Sequence, residues 1–146
     1  MAGMSADGPN VLKVAMKDVQ PSRRLGGSIR PLLTPASVGA SSGFLGTMTL
    51  DGGEFVAAHY HPYSDEFIFV AHGSVVLRVN DGEELHLDSG EAAMVPKYTP
   101  HRIENRGEGQ ALVVFQIAPL APSPEVGHVE VEPVPSPVDA PPAVGG

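Results

Sequence analysis

Two histidines, His59 and His61, stand one residue apart, and an acid, Glu66, follows five residues after the second. Alternate residues of an extended strand point to one face, so the two imidazoles can converge on a single point. Pro62 and the turn-forming Tyr63-Ser64-Asp65 then reverse the chain, and the returning strand can set Glu66 beside them. Two neutral imidazoles and a carboxylate form a donor set for a divalent transition metal. His101 follows the turn between Pro96 and Pro100 and opens a strand, as a third imidazole aimed at the same point would. His72 shares the parity of Glu66 but lies six residues beyond it. That is roughly 20 Å along a strand, too far to share the ion. His72 and His86 therefore read as ordinary strand residues. His128 lies on a segment that leaves the last strand and is free to fold back, which makes it a candidate additional ligand or a replacement for Glu66.

Such a cluster needs strands to hold it, and the chain is built to supply them. It has 146 residues, enough for one domain with a real core, and its 17 Gly and 15 Pro favour short strands joined by tight turns. No stretch carries a convincing helical stripe. Strands are expected at Val11–Met16, at Gly26–Thr34 (an edge strand, because Pro31 cannot donate to a ladder) and at Phe44–Leu50. Further strands are expected at Glu54–His61, Glu66–His72, Ser74–Asn80, Glu83–Asp88, Glu91–Val95, His101–Asn105 and Ala111–Ile117. Asp18–Ser22 and Asn80-Asp81-Gly82 read as turns, Ala36–Gly43 as a loop, and Glu125–Glu132 as a short added strand. This pattern predicts an all-β antiparallel sandwich or barrel. From Ala118 onward the chain holds more than half of its 15 prolines and almost no large apolar residues, which predicts an extended or disordered tail past about Glu132.

Composition excludes several functions. The absence of Cys removes disulfides, thiolate catalysis and sulfur-ligated metals. A net charge of -8 with scattered basic residues argues against nucleic acid as a partner. No apolar run is long enough to span a membrane, and the first residues lack a secretory pattern, so a soluble cytoplasmic protein is expected.

The two halves of the cluster also carry a family pattern. Gly53, His59, His61, Glu66 and Gly73 match the first cupin motif at every spacing, and Gly90, Pro96, His101 and Asn105 match the second. Tyr98 stands where the second motif usually has Gly, and 16 residues, Ser74–Ser89, separate the two motifs. The chain thus resembles a cupin. The resemblance implies a double-stranded β-helix (jelly-roll) barrel, usually dimeric, with a metal held inside by His59, His61, Glu66 and His101. On this reading residues 1–10 are a flexible N-terminus, 11–132 the cupin domain and 133–146 a Pro-rich tail.

The phrase His59-Tyr60-His61-Pro62-Tyr63-Ser64-Asp65-Glu66-Phe67 resembles that of small single-domain cupins in aromatic polyketide pathways. Gly26–Arg30, Ser42–Phe44 and Pro124–Glu130 resemble their flanking regions. Such proteins are polyketide cyclases, which direct aldol condensation and aromatisation of a poly-β-ketone chain. A divalent metal with open positions suits that chemistry by polarising a ketone, and because no redox step is needed zinc is favoured over iron(II), manganese or nickel. The candidate base is metal-bound hydroxide, or Glu66 where it is not a ligand, and Tyr60 and Tyr98 are candidate polar participants. Phe55, Ile68, Val70, Leu77, Met94, Ile103, Phe115 and Met48 are candidate substrate-lining residues, with core packing as their competing role. Arg23, Arg24 and Arg30 are a candidate landing site for an acidic acyl carrier protein, and Phe67 and Phe69 point outward, toward a second sheet or subunit. The alternatives are an oxygenase acting on a phenolic intermediate, a non-enzymatic small-molecule binder and a sugar isomerase or epimerase.

Overall fold

The computed structural model describes residues 10–80 and 82–144. The N-terminal segment expected to be loose lies outside the described residues apart from Asn10, as does Asp81 of the turn before β6. The strands are β1 (Ser28–Leu33), β2 (Phe44–Leu50), β3 (Phe55–Tyr60), β4 (Asp65–His72), β5 (Ser74–Val79), β6 (Glu83–Asp88), β7 (Ala92–Val95), β8 (His101–Glu104), β9 (Ala111–Ala118) and β10 (Val129–Glu130). They form two five-stranded sheets, ordered β1-β2-β9-β4-β7 and β10-β3-β8-β5-β6. Each paired ladder is antiparallel. The chain changes sheet at most of its turns, from β2 to β3, back to β4 and across again to β5. This winds the two sheets into the expected jelly roll.

Alternation in sequence becomes alternation across the sheet. Along β4, Glu66, Ile68 and Val70 are buried while Phe67 and Phe69 are exposed. The buried set meets Leu50, Val56, Leu77, Ile103, Val113 and other apolar residues between the sheets. Each such side chain contributes about 1.5–3 kcal/mol by leaving water. The register between β4 and β9 shifts after Val70, and His72 is exposed.

Asn105 pins the corner beneath the first motif. Its Nδ2 donates to Leu50 O (2.9 Å) and Gly109 O (2.8 Å), and its Oδ1 accepts from the Gly107 amide (3.0 Å). Gly73 adopts φ 76°, and a Cβ there would come 2.8 Å from Gln110 O and 2.9 Å from Ala111 Cα. This motif glycine therefore answers both a left-handed turn and a close backbone approach.

Three local expectations differ from the structure. Val11–Met16 is not a strand: Val11 and Leu12 are exposed, and the first regular element is a 3-10 turn at Met16–Asp18. This stretch pairs with no strand, and exposed Val11 and Leu12 bury too little to offset the entropy of ordering. The loop after β1 contains one helical turn, Pro35–Val38, closed at its N-terminus by a reciprocal Thr34–Ser37 cap and at its C-terminus by Gly39 at φ 69°. Only Val129–Glu130 of the added segment forms a strand, preceded by a 3-10 turn at Pro124–Val126.

Residues 133–144 run back across the N-terminal segment 22–26. Val134 packs against the core, and the Ser136 amide donates to Arg24 O (3.2 Å). Gly26 at φ 110° leaves room for this crossing, since a Cβ there would collide with Phe55 O and come 3.3 Å from Pro135 Cγ.

Candidate metal centre

The four motif side chains meet where the two sheets face each other. His59 lies on β3 and pairs directly across from His101 on β8, while Glu66 comes from β4 in the opposite sheet. One ligand atom from each of His59, His61, Glu66 and His101 lies within 4.8 Å of all the others. His59, Glu66 and His101 are buried and His61 is partly exposed.

The backbone orients all three rings. Nδ1–H of His59 donates to Ala57 O (2.8 Å), that of His101 to Thr99 O (2.9 Å) and that of His61 to Gly127 O (3.1 Å). Each donation leaves Nε2 facing the cluster. Glu66 Oε1 lies 3.1 Å from His61 Nε2 and 2.8 Å from His101 Nε2. A neutral ring that spends its proton on a carbonyl can present only a lone pair at Nε2. Three such lone pairs and a carboxylate oxygen at one point are what a divalent cation accepts. The donor set therefore fits a divalent metal, and it is nitrogen and oxygen only.

Without an ion the electrostatics is mixed: His59 is held neutral and Glu66 ionised, as ligation needs, while His101 is drawn toward the protonated form that donates from Nε2 to Glu66. Burial, then the neighbouring His101 and His61, push the His59 imidazole down to about 3, so it stays neutral. Burial opposes charge on Glu66, but hydrogen bonds from His101 and His61 outweigh it and hold the carboxyl well below the usual carboxylate range. Burial likewise opposes charge on His101, yet the Glu66 carboxylate raises its pKa.

The cluster opens into a cavity of about 640 Å³. Its walls include Leu25, Ile29, Phe44, Met48, Phe115 and Ile117, all apolar, with Ser64 and His128 among the polar members. Segments 120–125 and 141–144 complete it. A space of this size suits a small organic ligand.

Of the lining residues expected from sequence, Met48 and Phe115 do face this cavity. Ile68, Val70, Leu77 and Ile103 are buried in the core between the sheets instead. Phe55 lies under the Arg102 guanidinium, 3.7 Å from its ring centre, and Met94 is exposed on the outer face of the first sheet. Tyr60 and Tyr98 pair with each other, ring centres 6.4 Å apart, away from the cavity wall. Strand parity separates inside from outside but cannot tell the site end of the barrel from the packed end. Leu25, Ile29 and the tail were missed because their contact with the cavity depends on loop paths that carry no periodic signal.

His128 lines the cavity with its ring centre 5.8 Å from that of His59, outside the group of four. Its Nε2 lies 3.4 Å from Glu130 Oε2. Burial, then His61, lower its pKa. Arg23, Arg24 and Arg30 do not form an open basic patch. Arg23 pairs with Glu54 (2.6 Å), Arg24 with Glu130 (2.9 Å), and Arg30 Nε donates to Val19 O (3.1 Å).

Comparison with known proteins agrees with this architecture. The model of the cupin domain family matches residues 46–117. The chain is 60% identical over 134 residues to the tetracenomycin polyketide synthase protein TcmJ of Streptomyces glaucescens, covering 92% of this chain and 89% of that protein. It is 44% identical over 119 residues to the polyketide synthase CurC of Streptomyces cyaneus, covering 82% of this chain and 77% of that protein. Among solved structures, the polyketide cyclase RemF from Streptomyces resistomycificus superposes with a TM-score of 0.69 at 19% identity, over 87% of this chain and 89% of RemF. Oxalate decarboxylase from Bacillus subtilis reaches 0.71 at 20% identity over 87% of this chain and 34% of that enzyme. These two likenesses concern the fold alone.

Proposed function

This chain belongs to the cupin family, and on that premise we propose that it is a metal-dependent polyketide cyclase acting on a poly-β-ketone chain in aromatic polyketide biosynthesis. One observation carries the reading: three imidazoles and a carboxylate converge at the wall of a mostly apolar cavity of about 640 Å³, in a chain 60% identical to a tetracenomycin polyketide synthase protein.

His59, His61, Glu66 and His101 would hold the metal, with zinc the favoured ion. A divalent ion bound there supplies Lewis acidity toward a ketone oxygen. The chain's own contribution is orientation, exclusion of water and handling of protons. The carbonyls of Ala57, Thr99 and Gly127 lock the three rings so that the cluster costs no reorganisation. Leu25, Ile29, Phe44, Met48, Phe115 and Ile117 give the reactive chain apolar walls to fold against and keep water from intercepting it. Glu66 is the chain's candidate proton acceptor for the methylene beside the ketone when it is not a ligand, although the imidazoles that hold it ionised also make it a weak base. Delivery on an acyl carrier protein and a cytoplasmic setting belong to the same reading.

The reading also includes a homodimer. The outer face of the first sheet presents Phe67, Phe69 and Met94 uncharged and exposed. The outer face of the second carries an ion-pair ladder of Arg78, Glu84, Arg106, Glu104, Arg102 and Glu132. An apolar face of this kind suits a second copy, and the charged one suits water.

Product analysis of a poly-β-ketone reaction with His101→Ala tests the proposal. The variant should fall by at least about 100-fold in aromatic product, the scale of losing a preorganised electrostatic group. Undiminished cyclisation would refute it.

A further inference from the structure

Two stretches outside the sheets line the cavity, 120–128 and 141–144, and the second is the last described segment of the chain. Strands supply Ile29, Met48, Val56 and Ile117, but Pro141, Pro142, Ala143 and Val144 belong to no sheet. This segment stands beside Pro35, and the Val144 carbonyl accepts from the Ala36 amide at 3.4 Å. None of residues 131–144 is buried. Val134 reaches the core and Glu132 pairs with Arg102, but 136–140 are held by a polar clip to 22–24. Arg24 lies at its centre: Nη1 donates to Pro137 O (2.7 Å) and Asp139 O (3.3 Å) while Nε and Nη2 fork onto Glu130 (2.9 and 3.2 Å). The Arg23 amide donates to Asp139 Oδ2 (2.7 Å), and Ser22 Oγ donates to Ala140 O.

Polar contacts at a partly exposed site are individually weak in water, whereas separating two strands breaks a ladder and opens the core. The clip is thus the part of the enclosure that yields first. It also touches the site: Glu130, gripped by Arg24, is the carboxylate beside His128 in the cavity wall.

We propose that residues 136–144 form a latched gate over the cavity, with Arg24 as the latch, through which an extended apolar ligand enters. The arginines at 23 and 24 thereby serve this chain's own tail. The proposal rests on the cyclase reading only for the identity of the natural ligand, an uncharged, extended poly-β-ketone chain.

Entry of N-phenyl-1-naphthylamine, an uncharged aromatic that fluoresces in apolar surroundings, can be followed by stopped flow in the full-length protein. The chain has no Cys, so the double variant Ala36→Cys/Val144→Cys offers one disulfide that ties the gate shut. Oxidation should slow probe entry by roughly tenfold or more, and reduction should restore it. Arg24→Gln, which keeps a polar side chain but is too short to reach Pro137 O and removes the ion pair, should speed entry by several-fold with an unchanged circular dichroism spectrum. Equal entry rates in oxidised and reduced protein, or no acceleration in Arg24→Gln, would overturn the gate. So would failure of the reduced protein to take up the probe. Should the cysteine variant not fold, Arg24→Gln decides alone. Because the readout is entry and not turnover, the gate can fail while cyclisation stands, and the reverse.

Discussion

His59 shows how one residue's surroundings prepare it for a role. It is 3% exposed, faces two other imidazoles and gives its Nδ1 proton to Ala57 O. The unfolded chain takes up a proton at about 6.5, but the folded ring refuses one until about 3. Its contribution to stability is therefore present above pH 6.5 and is lost as pH falls through that window. His101 works in the opposite sense, since its raised pKa adds stability that fades as pH rises through the folded value. Chemical denaturation of metal-free protein at pH 7 and pH 5 should show the wild type losing about 2 kcal/mol more than His59→Gln. Equal losses would mean that His59 is protonated in the fold. The histidine pairing itself was legible because strand parity puts residues 59 and 61 on one face. The hydrogen bonds that select Nε2 were not, because they go to backbone carbonyls of residues 57, 99 and 127, which every residue type carries.

At the level of elements, the turns carried most of the readable information. Gly53, Gly73 and Gly90 adopt φ of 84°, 76° and 85°, which explains why the motif spacing asks for glycine there. Tyr98, standing where glycine is usual, also takes a left-handed φ of 67°, with its side chain 64% exposed. A non-glycine residue there costs about 1–2 kcal/mol. Tyr98→Gly should relieve this strain, less the entropy that glycine adds to the unfolded chain and the contact with Tyr60. A net gain of about 0.5 kcal/mol in urea denaturation is expected. Destabilisation beyond that amount would show that the Tyr60–Tyr98 pair outweighs the strain. Strand β5 was placed closely by its alternation, β2 by its small and β-branched residues, and β6 by its bounding turns. Val11–Met16 also carries apolar residues but pairs with no strand, a long-range fact that a local pattern does not contain. The same limit applies to the cavity: Met48 and Phe115 were placed at the site, while Ile68 and Leu77, equally apolar and equally inward, pack in the core.

For the whole molecule, the two outer faces differ as sharply as the inside differs from the outside. Phe67→Lys/Phe69→Lys places two charges on the apolar face, and sedimentation should show a dimer for the wild type and a monomer for the variant. Identical sedimentation would remove this face from consideration as the contact. The tail is where composition and three-dimensional placement part company. Its prolines do prevent helix and ladder, yet Arg24 and the crossing at Gly26 place it along the barrel, and neither feature is visible in the tail itself. The barrel, the cluster and the cavity together support a cyclisation that needs a metal but no oxidant. Turnover of a poly-β-ketone substrate by chelator-stripped protein, reloaded with zinc and assayed with oxygen excluded, addresses this most directly. Aromatic product should vanish on stripping, return with about one equivalent of zinc, and form at the same rate with and without oxygen. Product that appears only with iron and oxygen would contradict the account and mark the protein as an oxygenase.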